Sequence, residues 1–162
     1  MARDDRLTHL DAKGEVHIVD IAGKPETRRR AVAEARLLTT PETARALLDN
    51  ALAKGDALAV ARVAGLMAAK KTSELIPLCH PIALTSVGID IAALPDGTGL
   101  HIRATAETTG RTGVEMEALT AASVASLTLY DMAKSRDRGM TITDLRLVEK
   151  SGGASGDYER QA

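Results

Sequence analysis

The chain of 162 residues contains no tryptophan, no phenylalanine and only two tyrosines, Tyr130 and Tyr158. Its hydrophobic core must therefore be built from alanine, leucine, isoleucine, valine and methionine. Alanine-rich helices can approach their neighbours closely, which suits packing on a sheet or between subunits. Because large rings are missing, a heteroaromatic ligand could not be held by aromatic stacking. Such a ligand would be recognised through hydrogen bonds and aliphatic contacts.

Cys79 is the single cysteine, which excludes an intrachain disulfide and a cysteine-rich zinc site. The net charge of -1, from 21 basic and 22 acidic residues, gives no overall field for nucleic acid or an anionic membrane. A small polyanion would need only a local basic cluster. No apolar run approaches the length of a membrane span, and the first residues lack the apolar region of a signal peptide. We therefore expect one domain in a soluble cytoplasmic protein.

Local signals predict the first half of the fold. A strand is expected over residues 31–38, and Thr40 with Pro41 is typical of a helix start, which predicts a helix to about residue 53. Asp56 is expected to cap a second helix that ends at about residue 70. The apolar face of this second helix is predicted to consist of Leu58, Val60, Val63, Leu66 and Met67.

The second half predicts a hairpin, a long helix and a last strand. Two strands are expected over residues 84–94 and 100–108, joined by a turn at 95–99. The long helix is expected over residues 117–134, and the last strand over residues 141–149. The order β, broken α, β, β, α, β is typical of a ferredoxin-like α+β fold, a split βαβ with an antiparallel sheet and helices packed on one face. The domain is predicted to span 31–150, after a partly ordered arm (1–30) and before a flexible glycine-rich tail (151–162).

The predicted long helix carries charge in otherwise small and apolar sequence. Glu115 and Glu117 lie at its entry, and Asp131 and Lys134 lie near its end. Charge in such surroundings is costly to bury and indicates a functional site. Simpler interpretations remain open, since anions at a helix N-terminus stabilise the helix dipole and an acid–lysine pair three residues apart is typical of a surface ion pair.

The spacing of these charges limits how they can act together. Glu117 and Asp131 are fourteen residues apart, which corresponds to about 21 Å along a continuous helix. One small substrate cannot readily contact both within one subunit. Either they serve different sites, or an antiparallel copy of the helix from a second subunit brings them together, as a two-fold interface would.

Three further segments carry candidate site residues. The turn at Cys79-His80 is stiffened by prolines on both sides, which favours a positioned, functional His80 and a small buried thiol at Cys79. No further cysteine or histidine follows at ligand spacing, so no metal site is expected. Lys54 at a helix break is also consistent with simple dipole stabilisation. Lys150, followed by Ser-Gly-Gly, is typical of a phosphate-binding loop and equally of a linker.

Four segments, ALAKGDALAVARVAGLMAAKKT, ELIPLCHP, TGVEMEALTAASVASLTLYDMAK and EKSGG, closely resemble the MoaC family of molybdenum cofactor biosynthesis. The resemblance runs from about residue 7 to residue 158. It implies a lyase that converts 3′,8-cyclo-7,8-dihydroguanosine 5′-triphosphate to cyclic pyranopterin monophosphate and releases pyrophosphate. It also implies a ferredoxin-like fold and a homohexamer, a trimer of dimers with active sites at the dimer interface. We expect no required cofactor, with magnesium as an optional companion of the triphosphate.

The resemblance also implies roles for individual residues. The substrate-binding turn of the family corresponds to Leu78, Cys79 and His80, and a second binding segment corresponds to Met116 and Glu117. The active-site aspartate corresponds to Asp131, and the other site residues correspond to Lys54, Glu115, Lys134 and Lys150.

The chemistry of ring opening and closure suggests how these groups act. We expect Asp131 and Lys134 to form a general acid/base pair, with Lys54 as a second proton donor. Lys150 is expected to meet the triphosphate, and His80 a phosphate or ribose oxygen. Glu115 or Glu117 is expected to accept a hydrogen bond from the guanine N–H edge. Two other classes of protein remain as alternatives: a regulatory module that binds a nucleotide without turnover, and a structural oligomer whose charges only fix an interface.

Overall fold

A five-stranded antiparallel sheet forms the framework of the protein, and the structure, a computed structural model, describes residues 8–161. The strands are β1 (Thr27–Leu38), β2 (Ser86–Ala93), β3 (Gly99–Gly110), β4 (Thr141–Ser151) and β5 (Tyr158–Glu159), and they lie in the order β2-β3-β1-β4-β5. The helices are α1 (Pro41–Leu48), α2 (Ala57–Lys70), α3 (Thr72–Leu75) and α4 (Glu115–Ala133). Strands β1 to β4 have the split βαβ arrangement, and the predicted ferredoxin-like α+β fold is confirmed.

The core lies between the sheet and α4, and small side chains allow the two layers to come close. Alternate residues of β1 and β3 point to the helices. They meet a helix surface made largely of alanine. The fully buried members are Ala31, Ala33, Ala35 and Leu37 of β1, Leu100, Ile102, Ala104 and Ala106 of β3, and Ala118, Ala121, Ala122, Ala125 and Leu129 of α4. The predicted all-aliphatic core is therefore what holds the site elements in place.

The opposite face of the sheet carries charge. The carboxylate of Glu34 accepts hydrogen bonds from His101 Nε2 at 2.8 Å and from Arg146 Nε at 2.7 Å. Arg30 pairs with Glu107 and with Glu149. Because these charges pair with one another across neighbouring strands, this face is stabilised without a helix layer.

Several predicted boundaries differ from the structure. The first strand begins at Thr27, four residues before the predicted position, within the segment predicted to be an arm. Helix α1 ends at Leu48 and not near residue 53, because Asn50 adopts a positive φ of 55° that interrupts helical geometry. Residues 158–159 pair with β4 as strand β5, although the tail was predicted to be flexible. The first seven residues of the predicted arm lie outside the described residues.

The predicted apolar face of α2 was wrong at three of its five positions, whereas Leu58 packs against the core. The buried residues are small ones, Ala57, Ala61, Gly65, Ala68 and Ala69, whereas Val60, Val63 and Met67 are 45%, 55% and 54% exposed. A β-carbon at Gly65 would lie 2.0 Å from Ile89 Cδ1 and 3.0 Å from the carbonyl oxygen of Ala121. Contact between α2 and α4 is therefore so close that only small residues fit, and the larger apolar side chains face outward.

Candidate functional site

The predicted binding turn and the first turn of α4 face one another across a small cavity. This cavity, here the turn cavity, has a volume of about 290 Å³. Residues from both segments line it, together with residues of the N-terminal arm. The six lining residues predicted from sequence are Leu78, Cys79, His80, Glu115, Met116 and Glu117. The fold thus brings together six of the ten predicted site residues.

The N-terminal arm fixes the orientation of the His80 imidazole. His80 Nε2 lies 2.7 Å from the backbone carbonyl oxygen of Val19, which can only accept. The Nε2–H group therefore donates to this carbonyl, which leaves Nδ1 as the ring nitrogen available to a ligand. The prolines beside the turn keep it out of helical geometry, as predicted.

A larger cavity adjoins the turn cavity and is strongly basic. This basic cavity has a volume of about 620 Å³, and the two cavities share Lys24, Thr112, Gly113 and Glu115. Its lining includes five cationic side chains and one carboxylate. The cations are Lys24, Arg29, Arg30, Arg111 and Lys150, and the carboxylate is Glu115. Lys150, predicted as a phosphate ligand, therefore lies beside the turn cavity.

Arg29 is the most informative residue of the basic cavity, and sequence reasoning missed it. Its side chain is only 9% exposed, and its Nε donates to the carbonyl oxygen of Gly110 at 3.3 Å. No carboxylate forms an ion pair with Arg29 among residues 8–161. A buried guanidinium without an acidic partner in the described part of the chain, beside a cavity, is suited to an anionic ligand.

A signal for Arg29 was present in the sequence. The alternation of β1 places residue 29 on the same face as Ala31, Ala33 and Leu37, so an arginine occupies an inward position of a buried strand. The strand was predicted to begin at residue 31, which hid this pattern. Lys24 and Arg111 lie outside regular elements, and no local pattern marked them.

The glycine-rich segment after β4 forms one wall of the basic cavity. Gly152 and Gly153 both have positive φ angles, of 88° and 87°, and the amide of Gly152 donates to Asp157 Oδ1 at 3.2 Å. The ammonium group of Lys150 contacts the hydroxyl of Ser155. A β-carbon at Gly153 would lie 1.9 Å from Arg29 Nη1, so the absence of a side chain there lets the guanidinium occupy its position.

We expect Gly153→Ala to raise the KM for a phosphorylated substrate about tenfold or more, because the new methyl group must displace the Arg29 guanidinium. The measurement is the steady-state kinetics of pyrophosphate release. Gly156→Ala is the matched control, since Gly156 also has a positive φ, of 72°, but its β-carbon would have no atom within 4 Å. Equal effects of the two substitutions would attribute the loss to backbone strain alone.

The three remaining predicted residues form a cluster at the other end of α4. Lys134 Nζ donates to Asp131 Oδ1 at 2.7 Å, and Lys54 Nζ donates to the backbone carbonyl oxygen of Asp131 at 2.8 Å. The hydrogen bond from Lys134, followed by the positive charges of Lys134 and Lys54, lowers the pKa of Asp131. We call Lys54, Asp131 and Lys134 the Asp131 cluster.

The Asp131 cluster is exposed and lines neither of the two cavities. The side chains of Lys54, Asp131 and Lys134 are 46%, 61% and 53% exposed. Helix α4 is continuous from Glu115 to Ala133, so Asp131 lies about 21 Å along the helix axis from Glu117. One chain therefore holds the predicted residues in two separate groups, one recessed and one on the surface.

Burial gives Glu117 unusual acid–base properties. The residue is 2% exposed, and this desolvation, reinforced by the negative charge of Glu115, raises its pKa to about 7. Desolvation also raises the pKa of the Cys79 thiol, with smaller contributions from the charges of Glu117 and Glu115. Cys79 is therefore a thiol and not a thiolate nucleophile near neutral pH.

Within residues 8–161, no three histidine, cysteine, aspartate or glutamate side chains are grouped so as to hold a metal ion. In the same part of the chain, no helix combines the length and the apolar character needed to cross a membrane.

Comparison with known proteins gives one consistent result. Residues 18–153 match the family model described as the MoaC family. A protein from Thermomicrobium roseum named cyclic pyranopterin monophosphate synthase is 57% identical, over 96% of this chain and 93% of its own length. Proteins of the same name from Parvibaculum lavamentivorans and Heliobacterium modesticaldum are each 54% identical, over 95% and 97% of this chain and 96% and 99% of their own lengths. Because the family model covers most of the chain and these relatives match it over nearly its full length, the chain belongs to the MoaC family.

Proposed function

We propose that this protein is a lyase that converts 3′,8-cyclo-7,8-dihydroguanosine 5′-triphosphate to cyclic pyranopterin monophosphate and pyrophosphate, within molybdenum cofactor biosynthesis. The observation that carries the proposal is the pair of adjoining cavities. The turn cavity offers hydrogen-bonding groups to a heterocycle, and the basic cavity offers several cations, with Arg29 and Lys150 among them, to a triphosphate. The relatives named cyclic pyranopterin monophosphate synthase support the same activity.

The basic cavity has the charge that pyrophosphate release requires. Triphosphate oxygens would be bound by Arg29, Arg111 and Lys150, with the arginines able to form paired hydrogen bonds. Negative charge builds up on the leaving pyrophosphate, and fixed cations around it stabilise that charge. Magnesium, if it takes part, would arrive as a counter-ion of the triphosphate substrate.

The turn cavity would hold the heterocycle without aromatic stacking. His80 Nδ1 is left available by the bond from Nε2 to Val19, and it can accept a hydrogen bond from a ribose hydroxyl. Glu115 can accept from N–H groups of the heterocycle, because it lies on the border between the two cavities. This arrangement agrees with the absence of tryptophan and phenylalanine from the chain.

The Asp131 cluster would join the site from a second copy of the chain. Met116, Ser123, Leu127 and Asp131 follow one stripe of α4 at helical spacing, and Leu127 is 58% exposed. If two copies of α4 pack antiparallel about a two-fold axis near Ser123 and Val124, each Asp131 lies opposite the Met116 of the other helix. Helices in contact lie about 8–10 Å apart, within reach of one substrate.

A hexamer needs a second interface on each subunit. The exposed apolar residues Val60, Val63 and Met67 form a stripe on α2, and monomeric proteins rarely expose apolar stripes of this kind without a partner. We therefore place the contact between dimers on α2, in a cytoplasmic homohexamer built as a trimer of dimers.

The decisive experiment supplies the cyclised GTP derivative to the purified oligomer and measures pyrophosphate and the pterin product. Stoichiometric release of both is expected, with unmodified GTP as a control that should release none. A nucleotide-binding regulatory module would bind the compound without releasing pyrophosphate. The absence of release by a folded oligomer would therefore refute the enzyme assignment.

A further inference from the structure

The carboxyl group of Glu117 is buried, and the stabilisation of its negative charge by a backbone hydrogen bond is outweighed by desolvation. It is 2% exposed, and its Oε2 atom has no hydrogen-bond partner among the residues that the structure describes. No lysine, arginine or histidine in the described part of the chain forms an ion pair with it. A buried carboxylate without such partners is costly, whereas a neutral carboxylic acid is much less so.

The groups that face Glu117 come from three elements. Glu115 on α4 is acidic, and Cys79 on the turn is a neutral thiol. The other titratable groups lining the turn cavity are His80 on the turn and His9 and Lys24 on the N-terminal arm. The imidazole of His80 is engaged with the carbonyl oxygen of Val19, not with Glu117. Binding of a polyanionic substrate in the adjoining basic cavity would add further negative charge and favour the neutral acid more strongly.

We propose that Glu117 meets the substrate as a neutral carboxylic acid, whose Oε2–H group donates a hydrogen bond to the carbonyl oxygen of the heterocycle in the turn cavity. This inference rests on the proposed function for the identity of the heterocycle. The sequence suggested that Glu115 or Glu117 accepts from an N–H edge, and for Glu117 the burial of its unpartnered oxygen reverses the direction of that hydrogen bond. Glu115, on the border with the basic cavity, keeps the acceptor role.

A donor at this position would determine specificity. A heterocycle with a carbonyl oxygen at this edge satisfies the Oε2–H group, whereas one with an amino group there leaves two donors facing each other. The site would therefore select guanine-derived over adenine-derived substrates. The protonated acid provides this selection only at pH values below its own pKa of about 7.

The protonation state can be measured without any turnover. Protein labelled with ¹³C at the glutamate carboxyl carbon is titrated by NMR, and the Glu117 signal is assigned by its loss in Glu117→Gln. The expected midpoint is about 7, and it should fall in Glu115→Gln because the neighbouring negative charge is removed. A Glu117 midpoint near the ordinary value of 4.5 would overturn the proposal even in a protein with no activity.

A second measurement tests the hydrogen bond through the pH profile of kcat/KM for pyrophosphate release. Between pH 6 and pH 8, the wild-type value should fall about tenfold more than that of Glu117→Gln, because only the wild type loses its neutral donor. The comparison removes the titration of the substrate phosphates, which both proteins share. Parallel profiles would overturn the donor role, whereas failure of the wild type to release pyrophosphate would refute the proposed function and leave the NMR result to decide the protonation state.

The pH dependence of stability provides an independent check that the pKa of Glu117 is raised and not lowered. The pKa of Glu117 is raised in the folded protein, so its contribution to stability is fully present below about pH 4.5 and is lost as pH rises through about 7. The melting temperature of Glu117→Gln should therefore rise relative to the wild type between about pH 4.5 and pH 7, the interval between the pKa values of the unfolded and folded states. A constant difference across this range would contradict a buried neutral acid.

Discussion

Asp131→Asn is expected to lower kcat/KM by about 100-fold or more, because an amide cannot take up or release the proton that a positioned carboxylate transfers. Lys134 and Lys54 keep Asp131 ionised, so its carboxylate carries no proton of its own when the substrate arrives. The substitution preserves the shape of the side chain on an exposed surface, so the melting temperature and the oligomeric state should stay unchanged. Pyrophosphate release, calorimetry and light scattering on the same preparation measure all three.

Asp90→Asn provides the matched control. Asp90 is an exposed aspartate of β2 and lines neither cavity. The control should retain the wild-type rate, which would show that loss of a surface carboxylate alone does not impair the enzyme. A near-normal rate in Asp131→Asn would remove this residue from the mechanism, and a changed oligomeric state would instead assign it to the interface.

Mixing two inactive variants is expected to restore activity if each site is shared between two copies. Asp131→Asn damages one end of α4 and Lys150→Ala damages the basic cavity at the other end. In a mixed dimer, one site combines the two intact halves and the other combines both defects. After the subunits are unfolded together and refolded at a ratio of one to one, about a quarter of the wild-type activity should return.

The matched control mixes Asp131→Asn with Lys134→Ala. Both substitutions lie in the Asp131 cluster, so every site of the mixed dimer contains one defect and no activity should return. An affinity tag on the Asp131→Asn chain, which must co-purify the untagged second variant, confirms that mixed oligomers form in both experiments. Activity in the control mixture would contradict the two-fold arrangement of α4. So would a first mixture that forms mixed oligomers but shows no activity.

Much of the fold could be predicted because its signals are local. Thr40 and Asp56 cap α1 and α2 through side-chain oxygens that accept from backbone amides three residues later, as their positions indicated. The hairpin between β2 and β3 followed from the glycines at its turn and from alternation in the flanking strands. Signals of this kind depend on a few neighbouring residues, so no knowledge of the distant packing is needed to interpret them.

The predictions from sequence failed where the position of a side chain depends on packing against residues far away in the chain. Val60, Val63 and Met67 have the periodicity of a core face, but the close contact of α2 with α4 and Ile89 accepts only small residues there. Arg29 acquires its role because the segment after β4 folds back over it, and the two glycines that allow this lie more than 120 residues away in the chain. Neither of these two long-range contacts can be predicted from a short stretch of sequence.

The sequence by itself determined the order of the elements, the family and the distance between the two charged ends of α4, because caps, alternation, motif identity and helical rise are properties of local sequence. Only the tertiary structure decided that the Leu78–His80 turn faces Glu117 and that Glu117 lies almost fully buried. It also decided that Arg29 and Lys150 line the same basic cavity. Burial and charge proximity set the acid–base state of these groups, and both depend on which distant segments the fold brings into contact.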